Sequence, residues 1–183
     1  MPGEERRNIE VESATIEQNH VLENLIQLYV YDFTEYVPMT LRLDGRYEYS
    51  RLPLYWTDPE RYPFIVKVDG RLAGFALVKK GSDFSGDESV WDMAEFFIVR
   101  CERRRGTGYA VAAHIWCLFP GPWEVRVMPN NNRAFEFWKN SIARFLGRLV
   151  EPVRLERGDE SRNLFLFESP KSFTVTQPGS VAR

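Results

Sequence analysis

Cysteine and histidine are scarce, with two of each among 183 residues. Cys101 and Cys117 make no disulfide framework, and neither they nor His20 and His114 have the spacing of metal ligands. A stapled small module and a structural zinc site are therefore not expected, and no metal is assigned. So few cysteines suit a reduced compartment, which makes a cytoplasmic location the expectation; Cys101 reads as a structural thiol rather than a reactive one. No apolar run approaches the roughly 20 residues of a membrane helix. The opening segment, MPGEERRNIEVES, has no apolar signal-peptide core. Neither sign of charge dominates: 26 acidic residues against 24 basic ones leave a formal net charge of -2. Non-specific nucleic-acid binding needs a broad positive field, so it is not the expected task. Repeats and low-complexity blocks are absent too. So are the G-x-x-x-x-G-K-[ST] phosphate loop and the three-glycine dinucleotide fingerprint.

What the chain does have is aromatic bulk, 14% of its residues, and length enough for one packed domain. Residues 8–14 alternate apolar and polar, the pattern of a strand. From Ile16 to about Val37, Leu22, Leu25, Ile26, Tyr29, Phe33 and Val37 recur at helical spacing, and Pro38 follows. Residues 39–62 are irregular and carry Tyr47, Tyr49, Tyr55, Trp56 and Tyr62. This stretch predicts either a wall for a substrate or a satellite core cluster. Two β-rich runs flank Asp69-Gly70, a hairpin signal. WDMAEFFIVR predicts a central strand, Gly106 to about Phe119 a helix, WEVRVM a strand with Trp123, Val125 and Val127 on one face, and RAFEFWKNSIARFL a second amphipathic helix. Two strands around Arg157-Gly158-Asp159-Glu160 complete the order. The expectation is an α/β domain over residues 1–169, with a mixed, mostly antiparallel sheet flanked by helices, and a loose tail over 170–183.

The most informative segment runs from Phe97 to Ala113. A strand enters a basic, glycine-containing turn, and a helix opens directly after it. Unpaired N–H groups and the positive dipole end at a helix start form a natural anion site. Gly106 and Gly108 admit a phosphate close to the backbone. Arg103, Arg104 and Arg105 supply charge in a geometry suited to phosphate oxygens. One dipole interaction is worth only about 0.3–1 kcal/mol at an exposed site, so a diphosphate engaging several donors is the fitting ligand.

Arg103-x-x-Gly106-x-Gly108 resembles the Q/R-x-x-G-x-G/A motif of the GNAT superfamily of N-acetyltransferases, in the same strand–turn–helix setting. Asn131-x-x-Ala134-x-x-x-Trp138 resembles that family's later N-x-x-A-x-x-x-Y helix, and the element order over residues 8–169 fits as well. The resemblance implies a GNAT-like acyl-CoA N-acyltransferase fold with acetyl-CoA as cosubstrate and an amine as acceptor. It implies a diphosphate held by the turn from Arg103 through Thr107 to Tyr109. It also implies a pantetheine arm along Phe97, Ile98 and Val99, with backbone N–H groups of that strand polarising the thioester carbonyl. Asn131 would contact the arm, or simply cap its helix.

Trp138 departs from the family, which often places there a tyrosine that protonates the leaving thiolate. An indole N–H is no usable acid near neutral pH, so a tyrosine of the 47–62 loop or water would serve. Trp138 would then pack against the cosubstrate or in the core. Glu95 interrupts an apolar strand and is the candidate general base, the alternative being a pair with an arginine. A lysine-like acceptor, neutral in about one molecule in a few thousand at pH 7, needs such a base; an α-amine, neutral in roughly a tenth, needs it less. A catalytically idle acyl-CoA-binding module is the other reading, with Trp138 as its support. The acceptor, the acyl chain and the oligomeric state, a homodimer included, stay open.

Overall fold

The computed structural model describes residues 7–170. Almost all of the expected 170–183 tail lies outside that range. The chain forms one seven-stranded sheet in the order β1-β2-β3-β4-β5-β7-β6. In sequence the elements are β1 (Ile9–Ser13), α1 (Asn19–Phe33), β2 (Arg61–Val68), β3 (Arg71–Lys80), β4 (Trp91–Ile98), α2 (Thr107–Leu118), β5 (Gly121–Val127), α3 (Asn132–Leu146), β6 (Val153–Arg157) and β7 (Glu160–Ser169). Every neighbouring pair is antiparallel except β4 and β5, which run parallel. The α/β architecture and the element order read from the sequence are both present.

Local chemistry explains most boundaries. Asp69 (φ 50) and Gly70 (φ 73) both take the left-handed conformation that a two-residue β-hairpin needs. Asn131 caps α3, its side-chain oxygen accepting from the Ala134 amide at 2.9 Å. Gly147, left-handed at φ 69, closes the same helix. The first helix is shorter than its periodicity predicts, ending at Phe33 rather than near Val37. There the Thr34 hydroxyl bonds back to the Tyr31 carbonyl at 2.7 Å, a local alternative that competes with continued helix. The irregular stretch holds a 3-10 turn, Leu52–Trp56, and β2 begins inside it at Arg61.

The sheet separates two apolar layers. On one face α2 and α3 pack through Val111, Ile115, Trp116, Trp138 and Ile142 onto Val66, Met93, Ile98, Trp123, Val125 and Phe165. On the other, α1 and the 3-10 turn pack through Leu22, Ile26, Val30, Leu52 and Tyr55 onto Ile65, Phe75, Leu77 and Phe97. Burying one aromatic removes about 150–250 Å² from water, on the order of 4–6 kcal/mol at about 25 cal/mol per Å². Trp116, Trp123, Phe75 and Phe165 are all fully buried, so the aromatic content is chiefly core.

Two register breaks shape the centre. Between β4 and β3, Leu77 faces Glu95 and Val78 faces Met93, which leaves Ala94 as an extra, bulged residue. Between β4 and β5 only Trp91–Trp123 and Asp92–Glu124 are paired, after which the strands part. Gly74 of β3 lies under this region. A Cβ there would sit 2.0 Å from the Phe97 carbonyl oxygen, which is backbone and cannot swing aside. Gly74→Ala is therefore expected to cost at least about 2 kcal/mol, measured by denaturant unfolding.

Candidate functional site

The gap left by β4 and β5 opens into a cavity of about 1800 Å³. It extends from the start of α2, past both strands, to the β6–β7 hairpin, with lining residues from Arg103, Arg104 and Gly108 to Arg157, Glu160 and Arg162. Beyond Asp92 the β4 edge facing β5 has no strand partner, which leaves main-chain N–H groups on that edge without a sheet bond, while the Ile98 carbonyl is taken by Arg103.

At one end stands the basic turn. Arg100 to Glu102 form a single 3-10 turn, Arg103 is extended, Arg104 (φ 60) and Gly106 (φ 80) are left-handed, and α2 starts at Thr107. The left-handed step at Gly106 suits glycine alone at no cost, and open space surrounds the place of its missing Cβ. The helical ladder begins with Ala110 donating to the Gly106 carbonyl at 3.0 Å, so the amides before it have no acceptor within α2. Gly108 serves packing as well: a Cβ would come within 2.9 Å of the Phe137 ring on α3.

The three arginines divide their work. Arg103 donates to the Ile98 carbonyl at 2.6 Å and, with Arg100, clamps Asp32 of α1. Burial opposes charge on Asp32, but hydrogen bonds from Arg103 and Arg100 outweigh it and lower the carboxyl's pKa. Arg104 lines the cavity and makes no ion pair among the described residues. Arg105 does not line it; its carbonyl accepts from Arg7.

Other residues singled out by sequence also separate. Phe97, Ile98, Asn131 and Trp138 line the cavity, whereas Val99 does not, and its amide donates to Ala73 at 2.8 Å. Thr107 is fully buried. The ring of Tyr109 lies under the Arg144 guanidinium at 4.0 Å, away from the cavity. Trp138 is 6% exposed and sits edge-on to Phe96 with ring centroids 5.0 Å apart, so it is a core residue with one side on the cavity. The five aromatics of residues 47–62 do not make one wall. Tyr47, Tyr49, Tyr55 and Trp56 belong to the α1-side cluster, Tyr62 packs on the opposite face, and only Tyr49 of the five reaches the cavity. Alternation on β2 turns Tyr62 through the sheet.

At the middle of the cavity lies Glu95. Tyr29 of α1 donates to one of its oxygens, and Tyr49 donates to the other at 3.1 Å. Burial raises the Glu95 pKa above its ordinary 4.5, against the two phenolic hydrogen bonds that favour the charged form. Burial, then the nearby carboxylate, push the Tyr29 and Tyr49 phenols up in turn, so both stay donors. No arginine pairs with Glu95 among the described residues.

Sequence reasoning missed the polar set beside it. Lys79, Asp92, Glu124 and Arg126 project from three adjacent strands; Arg126 contacts Asp92 at 3.0 Å and approaches Glu124 at 3.9 Å. Ser82 hydroxyl donates to Glu124. The bulge at Ala94 brings Asp92 and Glu95, three apart, to the same face. The signal was present in the alternation of WEVRV, whose second face is Glu124 and Arg126. Asp92 is fully buried, and its oxygens lack a well-aligned hydrogen bond, the Arg126 contact being a charge contact only. Burial is the main cause that takes its pKa from 3.8 to about 7. Among the described residues no group of three or more His, Cys, Asp or Glu could hold a metal ion, and no helix is long and apolar enough to cross a membrane.

No family model and no curated protein sequence matches the chain. Solved structures do. An acetyltransferase from Thermus thermophilus superposes with a TM-score of 0.61 at 12% identity, over 88% of this chain and 97% of that one. An aminoglycoside acetyltransferase, AAC(6')-Ib, in complex with coenzyme A gives 0.65 at 12% identity, over 88% and 95%. The GNAT domain of S. lividans PAT gives 0.60 at 13% identity, over 87% and 90%. The chain thus has the GNAT acetyltransferase fold.

Asp92 generates a prediction about stability. Its folded pKa is raised, so the native state binds more protons than the unfolded chain between about pH 4 and 7, and stability falls as pH rises through that window. Asp92→Asn mimics the protonated acid and removes this loss. Its melting temperature, compared with wild type, should gain from pH 5 to about pH 7 and level off above it. A constant offset at every pH would show that Asp92 titrates normally.

Proposed function

We propose that this protein is a cytoplasmic N-acetyltransferase that moves the acetyl group of acetyl-CoA directly to a primary amine. The observation that carries the reading is one continuous cavity joining the α2 N-terminus to the part-buried carboxylate of Glu95 across parted parallel strands. The donor end fits a coenzyme A thioester: free amides, the open left-handed glycine at 106 and the unpaired Arg104 suit a diphosphate. The β4 edge at Phe97 and Ile98, unpaired with β5, offers main-chain N–H groups to an amide-bearing arm, and Asn131 and Trp138 form the facing wall. In this reading Thr107 and Tyr109 contribute main-chain N–H groups rather than side chains. The remaining arginines, Arg103 and Arg105, shape the turn.

Acetyl-CoA would supply the acyl group: a C–N bond forms, the C–S bond breaks, and the thiolate takes a proton from solvent. Glu95 accepts the proton that the amine loses. Tyr29 and Tyr49 fix both of its oxygens, so the base is aimed before the acceptor arrives. Backbone N–H groups beside the bulge at Ala94 polarise the thioester carbonyl. Trp138 supports the rival reading, a binding module without turnover, because it cannot act as an acid. The raised pKa and paired phenols of Glu95 favour the enzyme.

Two measurements test this. Acetyl-CoA should bind wild-type protein in a calorimetric titration, and Gly106→Glu/Gly108→Glu should abolish binding; indifference of the two proteins would refute the donor site. With an acetylatable amine, Glu95→Gln should lower kcat by on the order of 10²–10⁴-fold. The wild-type rate should fall as pH drops through the Glu95 pKa, which lies above 4.5, and that limb should vanish in the variant. Binding with no release of CoA on any amine would favour the module.

A further inference from the structure

Resting on that reading, we infer that the acceptor amine carries an oxyanion, a carboxylate or a phosphate ester, held by Arg51 and Arg157 at the far end of the cavity. Three guanidinium groups from separate segments meet there about one short turn, Asp83–Phe84. Arg51, just before the 3-10 turn, approaches Asp83 at 3.8 Å. Arg157 at the end of β6 donates to the carbonyls of Asp83 and Phe84. Arg162 of β7 lies over the Phe84 ring, 5.6 Å from its centroid. All three line the same cavity as Glu95.

Their existing partners do not use this charge up. Asp83 is already held by Lys79 at 2.6 Å, a hydrogen bond that leads the causes lowering its pKa. Glu160 is held by Arg162 at 2.9 Å, and Arg126 is engaged with Asp92. That leaves Arg51 at a long distance from a carboxylate already taken. Arg157 has no carboxylate within ion-pair distance among the described residues; carbonyls fix one edge of its fork. A planar fork with a free edge is suited to a carboxylate or phosphate.

The chain also sets the spacing. Tyr49, which touches Glu95, and Arg51 are two residues apart, so their backbones are at most roughly 7 Å from each other. An acceptor lying along this segment presents its amine to Glu95 and its oxyanion to Arg51 and Arg157. Such an acceptor is small, with the two groups separated by a few bonds. A polyamine lacking an anion would leave these guanidinium groups uncompensated.

The test pairs each oxyanion-bearing amine with its stripped analogue: phenylalanine with phenethylamine, and phosphoethanolamine with ethanolamine, each with acetyl-CoA. In at least one pair the anionic member should have the higher kcat/KM, by about tenfold, the worth of one charge-assisted contact; which pair it is identifies carboxylate or phosphate. Arg51→Ala, at an exposed position, and Arg157→Ala should each raise KM for that amine about tenfold. They should leave kcat and the stripped analogue little changed. Equal turnover within both pairs, or equal loss for both members, rejects the oxyanion site and leaves acetyl transfer standing. If acetyl-CoA binds but none of the four amines reacts, melting of the acetyl-CoA-loaded protein decides. A rise with phenylalanine or phosphoethanolamine that Arg51→Ala abolishes supports the site, and no rise rejects it. Failure of acetyl-CoA to bind removes the acetyltransfer reading and this one with it.

Discussion

Everything at the centre of this protein follows from the parting of β4 and β5 after two residue pairs. Parallel neighbours in the middle of a sheet ordinarily stay paired, because each lost backbone hydrogen bond leaves buried polar groups unsatisfied. Here the separation is tolerated because the bulge at Ala94 bends β4 away and because aromatic layers hold both faces of the sheet in place. The outcome is a cleft with free main-chain donors along one wall and the start of a helix at one end.

The same separation governs the electrostatics. Where the strands are last paired, Asp92 and Glu124 stand side by side, both fully buried, and among the described residues Arg126 is the cation within ion-pair distance of both. With Lys79 drawn off to Asp83, burial outweighs the help that Arg126 gives, and Asp92 is driven towards its neutral form. Farther along the cleft Glu95 has phenols rather than a cation for company. Hydrogen bonds orient it without a permanent counter-charge, the state suited to a group that must gain and lose a proton.

Much of this was legible in the chain itself. The hairpin at Asp69-Gly70, the cap at Asn131 and the glycine turn before α2 are local features, set by which backbone angles and side-chain bonds a residue allows. The order of elements and the mostly antiparallel sheet followed from them through the resemblance; the order of strands across the sheet did not. What could not be read was which residues meet across the sheet. Tyr29 looked like one more apolar position on α1, yet it faces Glu95. The bulge at Ala94, which places Asp92 and Glu95 on one face, has no glycine or proline to announce it. The aromatics of 47–62 read as a single group, but strand alternation sends Tyr62 to the other side. Likewise, three adjacent arginines suggested three phosphate ligands, while Asp32, far off in sequence, claims Arg103.

The central claim is that the open edge of β4 and the first amides of α2 together receive a coenzyme A thioester. Amide hydrogen exchange with and without acetyl-CoA tests it most directly. The account predicts slowed exchange in residues 93–98 and 104–109, with β1 and β2 unaffected. Protection confined to other segments, or none at saturating acetyl-CoA, would contradict it.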